Sequence, residues 1–157
     1  MPQRASLWIR MNVVNISNRQ KKISFSPGKI KFLAKKILVL LKIKNKNLSI
    51  LFVNDRQIKK LNKIYRKKNS ATDVLAFSMQ EGKFPRLNPH ILGDIVISVE
   101  TAHRCADEQN SILIKEISLY LIHGILHLLG FRDYGRSKAK MKRKEKKLFS
   151  KLWNAES

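Results

Sequence analysis

The sequence predicts an α+β fold: one mixed sheet of about four strands, with about five helices packed mainly on one side of it. Three observations carry this reading. Strand-like and helix-like segments alternate through the earlier part of the chain, and helices cluster late. At 157 residues and 43% hydrophobic, the chain suits one core, since a domain near this size buries roughly two-thirds of its unfolded surface. No internal repeat or Gly/Ser linker divides the sequence, so residues 1–157 are read as a single domain.

The elements follow in order. Leu7 to Val14 (LWIRMNVV) is apolar and β-branched and reads as a first strand. Asn18 to Lys22 is a polar, basic connection. Ser26-Pro27 opens a helix, Ser as N-cap and Pro in the first turn. That helix runs to about Leu41, with Ile30, Leu33, Ala34, Ile37, Leu38 and Leu41 on one face. Its lysines, Lys29, Lys31, Lys35 and Lys36, fall mostly on the other and read as a solvated face. Leu48 to Val53 is a continuous apolar run suited to a central strand. Asn54-Asp55 caps a helix over Arg56 to Lys67, with Ile58, Leu61 and Ile64 inward. Val74 to Met79 reads as a strand, Glu81 to Pro89 as a loop with Gly82 and two prolines, and Gly93 to Ser98 as a further strand. Glu100 to Asn110 looks helical, Ile112 to Leu129 is a buried helix, and Ser137 to Trp153 is a last helix with Met141, Leu148 and Leu152 inward. Short segments at both termini are expected to fray.

Charge narrows the partners. Lys and Arg number 33 against 11 Asp and Glu, a formal net charge of +22. The physical consequence is attraction to polyanions with strong salt dependence. The excess is mostly lysine, which compositional drift can also produce, so the charge alone does not establish RNA binding. Cys105 is the one cysteine, which excludes an internal disulfide. No apolar block ending in a small-residue cleavage site opens the sequence. Both features lead to an expectation of a cytoplasmic protein.

The chemistry gathers at the end of the apolar run. His123 and His127 are four apart, which stacks them on one helical face. Two imidazoles so placed can bind one metal ion. Gly130 ends the helix and turns the chain, bringing Asp133 back as a possible third ligand. Three protein ligands with an open fourth position describe a catalytic zinc. Lys115, Glu116 and the histidines argue against a membrane span. The zinc peptidase pattern needs a Glu after its first His, as general base; here that position is Gly124. His90 and His103 lack metal-ligand spacing.

Three stretches resemble, in order and distance, the signatures of the YbeY family of metal-dependent endoribonucleases. HGILHLLGF, from His123 to Phe131, is similar to the family's His-Gly-x-x-His-Leu-x-Gly followed by Tyr or Phe. Asn62 to Arg66 and then Thr72 to Phe77 are similar to its N-x-x-Y-R and T-D-V-L-S-F, and Leu92 to Ile95 to its L-G-D-I. The resemblance runs from about Leu48 to Phe149. It implies a zinc-hydrolase-like (zincin-like) fold with about four strands. It also implies a single-strand-specific endoribonuclease using one Zn2+ ion. The implied work is late ribosomal RNA processing, at the 3′ end of the small-subunit rRNA, and ribosome quality control. RNA, the ribosome or its precursors would be the partners.

One departure bears on the metal. The family's third ligand is a His preceded by Asp, where this chain has Asp133 preceded by Arg132. Aspartate is a competent zinc ligand, but a harder one that lowers the net charge of the centre, so the ion is less tightly specified. The expected metal ligands are therefore His123, His127 and Asp133. Arg66 and His123 are the candidate catalytic residues, and Arg66 and Arg132 the candidate RNA contacts. The Arg66 fork matches a phosphate, and the resemblance implies a functional role for it. Asp73 reads equally well as an acceptor of backbone hydrogen bonds, and Asp94 as a turn or strand-edge carboxylate. Two other functions compete: a ribosome-assembly RNA-binding factor with a structural metal, and a zinc peptidase.

Overall fold

A computed structural model describes residues 11–79 and 89–154. Its elements are β1 (Val13–Asn18), α1 (Pro27–Leu40), β2 (Asn47–Val53), α2 (Asp55–Arg66), β3 (Val74–Ser78) and β4 (Ile91–Ser98), then α3 (Val99–Glu108), α4 (Leu113–Leu128) and α5 (Ser137–Trp153). The four strands form one sheet in the order β1-β2-β4-β3. β1, β2 and β4 run parallel, and β3 closes one edge antiparallel to β4. The predicted mixed sheet and α+β class are observed.

The apolar face of the sheet explains why the helices lie where they do. Val14, Leu48, Ile50, Phe52, Ile95 and Ile97 point to one side and are buried. Against them pack Ile30, Leu33, Ala34, Ile37 and Leu38 of α1, Ala102 of α3, Ile117, Leu121, Ile122 and Ile125 of α4, and Met141, Leu148 and Leu152 of α5. α4 is apolar nearly all round, as a helix in the middle of a core should be. Among the described residues no single helix is long and apolar enough to cross a membrane. α2 is the exception to one-sided packing. Its Ile58 lies with Val53, Leu75 and Val96 in a small cluster of their own, formed by strand positions that alternate with those of the main core.

Three sequence expectations need correction. The first strand is Val13–Asn18 rather than Leu7 to Val14. It is an edge strand, so only Val14 and the half-buried Ile16 need to be apolar; Val13, Asn15 and Ser17 alternate outward, and Asn18 is exposed at the strand end. Residues 7–10 and most of the expected Glu81 to Pro89 loop lie outside the described residues, as do both outermost terminal segments. Ile64 is not inward but 68% exposed. The buried stripe of α2 follows Ile58 and Asn62, one helical turn apart, and Ile64 lies well round the helix from both. The buried helix starts at Leu113, and Ile112 stands exposed as its N-cap.

Two polar devices fix the ends of α2. Asn54 and Gln57 form a reciprocal capping box at 2.8 and 2.9 Å. Asp55 ties the start of α2 to the start of α3, accepting from the Ser98 and Thr101 hydroxyls and from Arg104. Burial alone would raise the Asp55 carboxyl pKa, but those three donors outweigh it and hold it below the usual range. At the other end, buried Asn62 donates its amide to the Ser70 carbonyl and so anchors the loop that leads to β3.

Candidate active site

α4 lies along β3, and the two line a cleft of about 450 Å³. His123, Gly124 and His127 come from α4; Arg132, Asp133 and Tyr134 from the turn after it; Thr72 to Ala76 from β3 and its approach; Arg66 from the end of α2. Every candidate residue of the sequence analysis thus meets at one place: Arg66, His123, His127, Arg132 and Asp133.

The helix C-terminus sets the geometry. The Gly130 N–H donates to the His127 carbonyl and the Phe131 N–H to the Leu126 carbonyl, both at 3.0 Å. This pair of bonds is a Schellman closure, and Gly130 has the positive φ of +97° that such a closure requires. The chain reverses there and returns Asp133 to the histidines. The Nε2 atoms of His123 and His127 face each other at 3.0 Å. Asp133 Oδ2 lies 3.8 Å from the first and 3.6 Å from the second. The three ligand atoms fall within 4.8 Å of one another, a group able to hold one metal ion. Burial and, after it, the neighbouring His123 lower the pKa of His127, despite the opposing pull of Asp133. A ring held neutral is the form that binds metal.

A fourth residue belongs to the group and was missed in the sequence. Glu145 of α5 accepts from His123 Nδ1 at 2.7 Å. With its proton held on Nδ1, His123 presents the Nε2 lone pair to the cleft. The signal was available: Glu145 is the one acid in α5, a helix of 17 residues that apart from Ser137 and Ser150 are otherwise basic or apolar. Nothing in its spacing from His123 marked it. Glu145→Ala is expected to weaken metal affinity by about 10- to 100-fold, measured by competition with a chelating dye.

Gly124 has a packing role. A Cβ there would meet Ile95 of β4 at 3.0 to 3.2 Å, so a glycine lets α4 lie close on the sheet. The position occupied by the base in zinc peptidases therefore faces the core, and a peptidase reading finds no place for that base. Gly124→Glu is expected to cost about 3 kcal/mol or more of stability, from overpacking and a buried charge, visible as a lowered urea midpoint.

Arg66 enters from the opposite wall. Its Nη2 donates to the Ala76 carbonyl at 2.7 Å, and its guanidinium lies 5.1 Å from the centre of the Phe77 ring. Tyr65 packs edge-on against the same ring at 5.3 Å. Asn62, Tyr65 and Arg66 therefore have separate tasks: holding the loop, bracing Phe77, and facing the cleft. The Asp73 carboxylate lines the cleft but accepts from the Val74 N–H at 2.7 Å and from the Thr72 hydroxyl, the backbone role its position suggested. Asp94 sits in a different hollow, with Asn15, Ser17 and Ser49. Glu116 is buried on α4 two turns before His123, and burial, helped by the nearby Asp73, pushes its carboxyl pKa up.

The family model described as Endoribonuclease YbeY matches residues 15–153. The chain belongs to the YbeY family. A YbeY relative from Syntrophus aciditrophicus, named Endoribonuclease YbeY, is 40% identical over 139 residues, covering 87% of each chain. One from Aquifex aeolicus with the same name is 40% identical over 137 residues, 86% of this chain and 89% of that one. The solution structure of TM1509 from Thermotoga maritima superposes with a TM-score of 0.61 at 25% identity, covering 91% of both chains. Residues of two of the three YbeY-like stretches line the cleft, His123, Gly124 and His127 on one wall and Arg66 with Thr72 to Ala76 on the other, while Leu92 to Ile95 lies outside its lining.

Proposed function

We propose that this chain is a single-strand-specific endoribonuclease that uses one zinc ion held by His123, His127 and Asp133. Its proposed substrate is ribosomal RNA in the cytoplasm, at the late maturation of the small-subunit 3′ end, with a part in ribosome quality control. The observation that carries the reading is the convergence of Nε2, Nε2 and Oδ2 across one cleft from Arg66. Membership of the YbeY family and the formal net charge of +22 support an RNA substrate.

Zinc bound there would supply Lewis acidity toward a phosphoryl oxygen and lower the pKa of water. The protein's own part follows from the side chains. His127 is held neutral by burial, and Glu145 keeps the His123 proton on Nδ1, so both Nε2 atoms face the ligand group. Asp133 adds a negative charge, which the adjoining Arg132 offsets. Hydrolysis of a phosphodiester builds negative charge on the phosphate oxygens, and Arg66 and Arg132 line the cleft where that charge develops. Ala76 and Phe77 hold the Arg66 fork, so little side-chain freedom is lost when a phosphate arrives.

The test is cleavage of matched single-stranded and duplex oligoribonucleotides, and of a small-subunit rRNA precursor with its 3′ end mapped. Cleavage of the single strand and trimming of the precursor are expected. If metal-loaded protein binds these RNAs and cuts none of them, the protein is an assembly factor with a structural metal.

A further inference from the structure

α5 carries two stripes. Met141, Glu145, Leu148 and Leu152 recur at intervals of four, three and four; the three apolar residues are buried and Glu145 touches His123. Lys140, Lys144, Lys147 and Lys151 recur at the same intervals one position earlier, so they also share one face. The lysine stripe covers eleven steps, about 17 Å of helix. It begins at the metal-ligand turn: the ammonium groups of Lys140 and Lys144 lie 5.8 and 5.9 Å from the centre of the Phe131 ring, immediately before Arg132 and Asp133. It ends in a groove of about 380 Å³ that Lys144, Lys147 and Lys151 share with Lys42, just past the end of α1.

Ion pairing does not account for these lysines, and three of the carbonyls that end α1 are already satisfied by the backbone. The Ile37, Leu38 and Val39 carbonyls at the end of α1 already accept from the backbone N–H groups of Leu41, Ile43 and Lys42. Among the described residues no ion pair joins any of the five lysines to a carboxylate. The one acid of α5 turns to His123 instead. Like charges gathered in one groove repel, and a polyanion laid along them relieves that repulsion.

We propose that Lys140, Lys144, Lys147 and Lys151, with Lys42, form a track for the RNA strand where it leaves the cleft. The track rests on the RNA reading of the cleft, and it assigns a direction to the strand: past Phe131 and along α5. Contacts of this kind are to phosphates, so the track is indifferent to sequence.

Binding of 2′-O-methyl single strands, which resist cleavage, tests this with the metal-loaded full chain. The strands are about 5 and about 16 nucleotides long, within the range of known single-strand sites. Lys144→Ala/Lys147→Ala/Lys151→Ala is compared with Lys31→Ala/Lys35→Ala/Lys36→Ala, which removes equal charge from the outer face of α1; melting confirms that both fold. The α5 variant is expected to lose about tenfold or more in affinity for the long strand and about two units of salt slope. It should bind the short strand nearly as wild type does. The α1 variant should stay within about twofold on both strands. Equal losses in the two variants would reduce the stripe to general charge, and equal losses on short and long strands would place the lysines outside any track; either result overturns the proposal. Cleavage of ordinary RNA is assayed in parallel. Track behaviour without cleavage refutes the nuclease and leaves the track standing.

Discussion

His123→Ala/His127→Ala is expected to abolish stoichiometric metal binding and RNA cleavage together. Wild-type protein should carry about one zinc ion per chain, and the double variant close to none. The loss of a cation opposite the phosphate removes several kcal/mol of transition-state stabilisation, about 1000-fold or more in rate. The fold should survive. Both side chains are only partly buried and alanine suits a helix interior. Glu145 loses its partner, which costs about 1–3 kcal/mol because a half-buried carboxylate is left unsatisfied. Asp133→Ala should be milder, weakening affinity by about tenfold while the histidine pair remains, and Asp133→His should restore or tighten it. Inductively coupled plasma analysis of dialysed protein, with a thermal melt, checks the series.

The second large effect is Arg66→Ala. A cation that contributes only to the general field is one of 33 Lys and Arg. Its removal would lower RNA affinity slightly and reduce the salt slope by about one unit or less. The Arg66 fork faces the cleft that holds the histidines, so its contact should strengthen as charge develops on the phosphate. The variant is then expected to lose about 100-fold in kcat, near 2.7 kcal/mol, with a smaller change in KM. Arg66→Lys keeps the charge but loses the planar fork, and should recover only part of the rate. Single-turnover cleavage at saturating RNA separates the two effects. The bond to Ala76 lies at an edge strand and its loss should change the melting temperature little.

What the sequence disclosed and what it concealed divide along physical lines. His123 and His127 were legible because both ligands stand on one helix, where spacing alone fixes their relation. Gly130 was legible because ending a helix is a local event. Glu145 was not, since its contact depends on how α5 packs against α4, which no local spacing encodes. The same holds for Arg66: its helix end was visible, but its place across the cleft follows from α2 lying on the far face of the sheet. Ile64 was misassigned because a window of three apolar residues admits more than one face. β1 was displaced because an edge strand needs few apolar residues, and the more hydrophobic run before it drew the assignment. Gly124 was read as a missing base, and the structure adds a reason for the glycine in the closeness of Ile95.

The proposed cleavage of RNA depends on one metal ion at His123, His127 and Asp133. The most direct test follows cleavage of a labelled single-stranded RNA by wild-type protein as it is stripped with a chelator and titrated again with zinc, beside His123→Ala/His127→Ala treated identically. Cleavage by the wild type should fall with the ion, return in proportion to its occupancy and saturate near one ion per chain, while the double variant stays inactive throughout. Undiminished cleavage by the stripped protein or by the double variant would mean that RNA is cut without an ion at these residues.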